Sequence, residues 1–472
     1  MAGFALSHIV RRGVDTLEEQ LAELATKVAA LESASGGGTP NFVIAEVYYY
    51  ISIPLMVIIH AGFLAYEMGA SRLKNVLASG IKNILAFAFM MPTFYFFGWF
   101  VYWAWTPGLL PTPETIQTGI DFANPAGAVM GPNLGDTITG VFWGAFAMFA
   151  ATTASIFSGS VIERIRVSSF IVLAIILGSF AWVVAAAWGW NAGGWLVTEY
   201  GYHDFGAAGV VHMVAGFFAL GVLINLGPRL GKFNPDGTAN DLSGHNMPLT
   251  LIGLMLIIVG FFGFLMACVL VPGQAWSFDA GMWTSIYGTK MTLSTLAFNI
   301  LMAFGGGVIG AWAFTRDPFW MMSGALAGII SAASGMDFYW PPMAFAVAFA
   351  GGAMLAPIAK IIERMGIDDA VGAVTVHGFI GIWGVLACGI FASGYPALSG
   401  DVGVPTITLY GQAVGALMMF LCGFVPGYVC SLFFRIFGLL RVDDASQIAG
   451  LDPVKVPLIA YPEGMTSAQA AE

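Results

Sequence analysis

Two histidines stand in matching surroundings. Asp204-Phe-Gly-Ala-Ala-Gly-Val-Val-His212 and Asp369-Ala-Val-Gly-Ala-Val-Thr-Val-His377 each place an aspartate eight residues before a histidine, in stretches that are otherwise apolar. A neutral imidazole carries one donor and one acceptor nitrogen, so a facing pair shares a proton and still presents a nitrogen to a third group. Its ordinary pKa near ~6.5 keeps proton exchange inexpensive at neutral pH. A lone buried histidine is usually a satisfied core group, but two at repeat-related positions favour a functional pair. Ionisable side chains inside apolar spans are costly and mark either a pathway or a structural pair. The others here are His60, Glu67 and Glu163, with Lys82 close to an interface. Cys268, Cys388, Cys422 and Cys430 fall inside apolar runs with no CxxC or Cys/His cluster, which argues against a disulfide or a metal site. No nucleophile–base set emerges, so neither an enzyme nor a cofactor is expected.

The elements that must position these residues are membrane spans. The chain is 58% hydrophobic and 9% charged over 472 residues, whereas soluble chains carry about 25% charged residues. Apolar runs repeatedly reach the ~20 residues a helix needs to cross ~30 Å of hydrocarbon. The weak alternating segments of a barrel are absent. Eleven spans are predicted, at 45-67, 82-105, 138-162, 168-190, 206-227, 247-271, 291-314, 318-335, 340-362, 370-393 and 406-437. The 61 glycines suit close helix packing. The net charge of -10 is spread over loops and tails, so no nucleic-acid partner is inferred.

Lysines and arginines sort cleanly between the loops. Arg72, Lys74, Arg164, Arg166, Arg229, Lys232, Arg316, Lys360, Arg364, Arg435, Arg441 and Lys455 follow odd-numbered spans, while 106-137, 196-205, 336-339 and 394-405 hold none, and Lys290 is the exception. The positive-inside rule then puts the N-terminus outside and the C-terminus in the cytoplasm. Residues 1-44 form a separate polar module ending in Ser35-Gly36-Gly37-Gly38-Thr39-Pro40. In it Val10, Val14, Leu17, Leu21, Leu24, Val28 and Leu31 follow a heptad, which predicts a coiled coil, or alternatively an amphipathic helix on the membrane surface.

Spans 5 and 10, which carry the histidines, are each the fifth of a five-span unit (about 45-227 and 247-393). Five is odd, so the units face opposite ways, the inverted repeat whose substrate sites lie near the bilayer midplane. On a helix, eight residues cover about 12 Å. Asp204 and Asp369 are therefore expected near opposite membrane surfaces, with His212 and His377 well inside.

Several ordered blocks resemble the ammonium transporter (Amt/Rh) family over roughly 45 to 460. They are Ala61-Gly-Phe-Leu-Ala-Tyr-Glu-Met-Gly-Ala-Ser-Arg-Leu-Lys-Asn75, Ser158-Gly-Ser-Val-Ile-Glu-Arg-Ile-Arg166, Asp204 to Gly216, Gly244-His-Asn-Met-Pro248 with Gly260-Phe-Phe-Gly-Phe264, and Asp368 through Gly384. Leu440-Arg-Val and Gly450-Leu-Asp452 resemble the family's cytoplasmic tail. The resemblance implies an all-α polytopic inner-membrane protein, a five-plus-five repeat with an eleventh span at 406-437 and a tail at 438-472, assembled as a homotrimer with one pore per subunit. It implies passage of ammonium or ammonia past twin histidines, His212 and His377. Two stacked rings, Phe149 and Phe264, would form the gate. Trp190 would offer the cation an aromatic face at a vestibule and Asp204 would add negative potential there or cap its helix, two compatible roles, and a trimeric PII-type signalling protein would meet the tail. Phe149 rests on ungapped alignment from Glu163; a three-residue shift would substitute Phe142 and Phe146. The sequence departs from the family at Ala145, where an aromatic is common, at Cys268, where a hydroxyl is common, at Leu265 in place of Asn, and at His60 in place of Gln. An Amt-like ammonium sensor and a non-transporting trimeric scaffold are the alternative readings.

Overall fold

The computed structural model describes residues 39–124, 138–269, 283–399 and 403–462, with Thr26 isolated ahead of them. The heptad positions Val10 to Leu31 lie outside the described residues, as does the tail beyond 462.

The described chain is a helical bundle: α1 (Thr39–Ala70), α2 (Leu73–Ala104), α3 (Ile138–Ser160), α4 (Val167–Gly189), α5 (Ala208–Leu226), α6 (Met247–Met266), α7 (Leu293–Phe314), α8 (Pro318–Ala333), α9 (Pro341–Arg364), α10 (Val374–Phe391) and α11 (Leu409–Ile436). Among the described residues, ten of these are long and apolar enough to cross a bilayer. The sixteen-residue α8 is the shorter one. Polar caps start several helices. Thr292, Asp317 and Thr408 accept the first free N–H groups of α7, α8 and α11, and Asn246 does so for α6.

Two predicted boundaries move. Helix α1 begins at Thr39, inside the glycine-rich stretch. Helix α2 begins at Leu73 rather than 82, because Ser79, which interrupts the apolar run, satisfies its hydroxyl against Ser71 (2.6 Å) and is buried. Lys82 therefore lies in the third turn of this helix and is buried. A short antiparallel pair, Trp283–Thr284 with Lys290–Met291, forms a two-stranded sheet.

Glycines bring the two halves together. Helices α1 and α6 run antiparallel, with Gly62 against Gly253 and Ile257, Gly69 against Thr250, and Gly263 against Leu55. A Cβ on Gly62 or Gly69 would sit within 2.7 Å of the partner's backbone, so only glycine permits this approach. Helices α5 and α10, the last of each half, also cross antiparallel at Gly216 and Gly378.

One end of the bundle gathers charge. Arg229 grips Asp368 through Nε (2.9 Å) and Nη2 (2.9 Å), Arg164 approaches the same carboxylate (3.7 Å), and Arg72 pairs with Glu163. Burial would raise the Asp368 pKa, yet Arg164 and Arg229 hold it well below the usual carboxylate range. The tail folds onto this end. Val442 donates to Arg164 O (2.9 Å), and the Asp452 carboxylate accepts from Leu77 N (3.0 Å) and Ala78 N (2.8 Å) at the start of α2. The opposite end carries a different buried pair, His203 and Asp337 (3.1 Å).

Candidate pore site

The repeat is visible in the backbone. Three residues after each aspartate the chain turns left-handed, at Ala207 (φ 67°) and Gly372 (φ 76°). The helix that follows opens with a π-turn, Ala208–Met213 in one half and Val374–Phe379 in the other, and each turn contains its histidine. Single π-turns of this kind recur at functional positions. Each aspartate anchors its turn. Asp204 Oδ2 accepts from Gly209 N (2.9 Å) and Val210 N (2.8 Å), and Asp369 accepts from Ala373 N (3.0 Å) and Val374 N (2.8 Å). Hydroxyls complete both, from Ser334 (2.6 Å) and Tyr202 (3.1 Å) on Asp204 and from Ser160 (2.7 Å) on Asp369. Burial pushes both carboxyl pKa values up, and these hydrogen bonds oppose it.

This corrects one expectation. The path from aspartate to histidine is not a continuous helix, because the left-handed residue breaks it. Asp204 is fully buried with both oxygens engaged and caps the turn that follows it.

His212 and His377 meet at 3.0 Å between their Nδ1 atoms, with ring centroids 5.1 Å apart and planes 26° apart. One Nδ1 must donate and the other accept, so the pair holds one shared proton and turns both Nε2 atoms outward. The Nε2 of His212 is buried with no hydrogen-bond partner among the described residues. Phe264 covers His212 nearly parallel (5.9 Å, 25°).

Above this pair, Phe149 and Phe264 lie 4.6 Å apart at 86°. The rings meet edge to face, not stacked as expected. This arrangement places a ring edge against a partner's negative face. Trp190 packs on Phe149 (4.8 Å, 75°), and its indole N–H donates to Asp204 O (2.7 Å). Phe146 stands one step outward, 5.6 Å from Phe149, and Phe142 touches Phe146 (4.6 Å). Ala145 is buried beside them. Cys268 is also buried, its thiol donating to Phe264 O (3.4 Å) one turn back, and Leu265 closes over Gly206. Trp190 thus packs on the Phe149–Phe264 pair, with Ala145 and Cys268 buried one helical turn from Phe149 and Phe264.

Sequence reading missed several neighbours. Tyr49 reaches Phe142 (5.2 Å), and Tyr48 stacks on Trp283 (4.9 Å, 30°); the run Tyr48-Tyr49-Tyr50 was the available signal. His203 sits under Tyr287 (4.2 Å) and bonds Asp337 and Ala397 O (2.9 Å); its place next to Asp204 was the clue. His60 bonds Ser155 through Nδ1 (3.1 Å) and packs on Phe87 (4.7 Å). At the arginine-rich end, a cavity of about 530 Å³ is lined by Arg229, Lys232, Glu363, Asp369 and Thr375.

Residues 47–461 match the family model described as Ammonium Transporter Family. The chain belongs to the ammonium transporter family. Among relatives, the ammonium transporter Amt2 of Archaeoglobus fulgidus is 29% identical over 449 residues, covering 90% of this chain and 89% of the relative. The solved structure of a sensor Amt protein superimposes with a TM-score of 0.73 at 25% identity, covering 88% of this chain and 98% of that one. Candida albicans Mep2 matches with a TM-score of 0.65 at 19% identity, over 85% and 87% of the two chains, and shows the shared fold. In this ammonium transporter, the histidine pair lies beside the crossing of the two half-repeats, with Phe264 over His212.

Proposed function

We propose that this ammonium transporter takes up ammonium from outside an inner (cytoplasmic) membrane and passes ammonia past His212 and His377, as a homotrimer with one pore per subunit. The contact that carries the proposal is the 3.0 Å Nδ1–Nδ1 hydrogen bond in a site sealed by Phe149 and Phe264. A cation over Trp190 and the Phe rings gains about 0.5–2 kcal/mol, enough for loose capture. Passing the edge-to-face rings requires shedding water. Ammonium yields a proton and continues as ammonia; potassium has no proton to yield. The arginine-rich end with its docked tail faces the cytoplasm, following the positive-inside rule. A trimeric PII-type protein would meet that tail, and a pull-down from nitrogen-replete extract that never recovers one would count against it.

A second reading is favoured by one observation: Ala145 and Cys268 stand where an aromatic and a hydroxyl are common in the family, and the chain resembles a sensor Amt protein at 25% identity. In that reading ammonium binds and the signal passes to partners without flux. Uptake of labelled methylammonium by proteoliposomes, measured beside equilibrium binding in detergent, separates the two. Uptake above empty liposomes supports transport; binding without uptake supports the sensor.

A further inference from the structure

Glu67 is a buried carboxylate to which the path described above gives no task. It lies in α1, fully buried. The Ser158 hydroxyl bonds its two oxygens (2.5 and 2.6 Å), Asn83 Nδ2 donates to Oε1 (3.1 Å), and Lys82 Nζ stands 3.6 Å from Oε2. Lys82 also donates to Ser158 O (2.5 Å). A buried ion pair by itself argues little, since apolar residues of the same volume often serve as well. Position distinguishes this one. Glu67, Phe63, Tyr66, Val376 and His377 line a cavity of about 10 Å³, room for roughly one water.

That cavity lies on the route inward. The segment 370–377 walls it with Val371, Ala373, Val376 and His377, and the same segment walls the 530 Å³ cavity with Ala370, Gly372 and Thr375. Of the two histidines, His377 is the more accessible, 5% against 1% for His212. The Tyr66 hydroxyl is committed to Val371 O (3.3 Å), so Glu67 is the acceptor carboxylate among the residues lining the cavity.

We propose that Glu67 is the inner proton acceptor of the transport path, which rests on the transport reading above. Where the Phe149–Phe264 plug meets the histidines, at Phe264 over His212, an N–H bond of ammonium breaks, the histidine pair takes the proton, and ammonia continues inward past the pair. The proton leaves His377 through one water to the Glu67 carboxylate, restoring a neutral histidine pair. Ammonia reaching the small cavity takes that proton from the Glu67 carboxyl, forming an N–H bond and leaving ammonium and the carboxylate beside Lys82. Net movement is then one ammonium ion per cycle, and charge crosses with it.

The test uses full-length protein in liposomes given an ammonium jump, recording current and internal pH for wild type, Glu67→Gln, Glu67→Gln/Lys82→Met and Glu67→Asp. The double variant removes the lysine that Glu67→Gln would leave unpaired. In both Gln variants current is expected to fall about tenfold or more, the low end of what a proton-transfer group contributes, while the pH signal of ammonia entry persists. Glu67→Asp, which keeps the carboxylate, should retain current and decides the matter if the Gln variants fail to fold. Wild-type current in the double variant would overturn the proposal by reducing the pair to a structural one. So would a folded Glu67→Asp as silent as Glu67→Gln. Wild type that moves ammonium with no current overturns this inference alone, whereas wild type that moves none sinks the transport reading itself.

Discussion

Gly216 of α5 lies against Gly378 of α10 so closely that a Cβ on Gly216 would stand 2.2 Å from the Gly378 nitrogen. The crossing point is one residue past His377 and one helical turn past His212, so the two backbones themselves set the imidazole separation. The contact is asymmetric. A Cβ on Gly378 would meet only ordinary neighbours at 3.5 Å, on Phe217 and the Gly216 carbonyl carbon. Gly216→Ala is therefore expected to lower stability by about 2 kcal/mol or more, since overpacking here pushes on backbone, and to cut flux. Gly378→Ala should stay within about 1 kcal/mol of wild type. Thermal unfolding of the two purified variants decides this.

The histidines are expected to act as a unit. Because, among the described residues, each Nδ1 is the other's only hydrogen-bond partner, His212→Ala and His377→Ala should each lower ammonium current about tenfold or more. The double variant should be little worse than either single one, as contacting residues are non-additive. Independent, multiplying losses in the same current assay would contradict a shared-proton pair.

The other end of the molecule holds a pH-dependent contact. Burial disfavours charge on His203, but the Asp337 carboxylate beside it outweighs this and raises its pKa. A raised pKa means that stability from this group is in full below the unfolded value of about 6.5 and is lost as pH rises through the folded value. Wild type should exceed His203→Asn by about 3 kcal/mol at pH 6, the low end for breaking a buried pair. The gap should narrow by pH 9 in matched melting curves; a gap that widens with pH would contradict the sign.

The tail is held largely through Asp452, whose carboxylate serves two free N–H groups at the start of α2. Losing such a cap costs about 1 kcal/mol. Asp452→Ala is expected to loosen residues 443–455 and speed their cleavage in limited proteolysis, while the bundle melts unchanged. An unaltered cleavage rate would show that the remaining contacts, among them Lys74 Nζ to Ile448 O (2.5 Å) and Leu451 N to Asn75 Oδ1 (2.8 Å), hold the tail without it.

Much of the architecture was legible because long apolar runs leave a membrane helix no alternative, and because the Asp-to-His spacing repeats. What spacing could not convey was the backbone between them. Ala207 adopts a left-handed conformation that its side chain disfavours by roughly 1–2 kcal/mol, held by the two N–H bonds to Asp204. No propensity rule would place alanine there. The start of α2 was read too late for a related reason: Ser79 reads as a loop residue until its partner Ser71, in the turn between α1 and α2, is known. The edge-to-face angle of Phe149 and Phe264 depends on how α3 and α6 are each set against α1, and no feature of either helix alone encodes it.

The central claim is that ammonium crosses by giving up its proton within a dry, aromatic-sealed pore. It is tested most directly by comparing wild-type proteoliposomes after equal jumps of ammonium and of potassium on a solid-supported membrane. The proposed path predicts a transient current with ammonium and none above empty liposomes with potassium. Equal currents for the two ions would contradict it, because an ion with no proton to release would then be using the same pore.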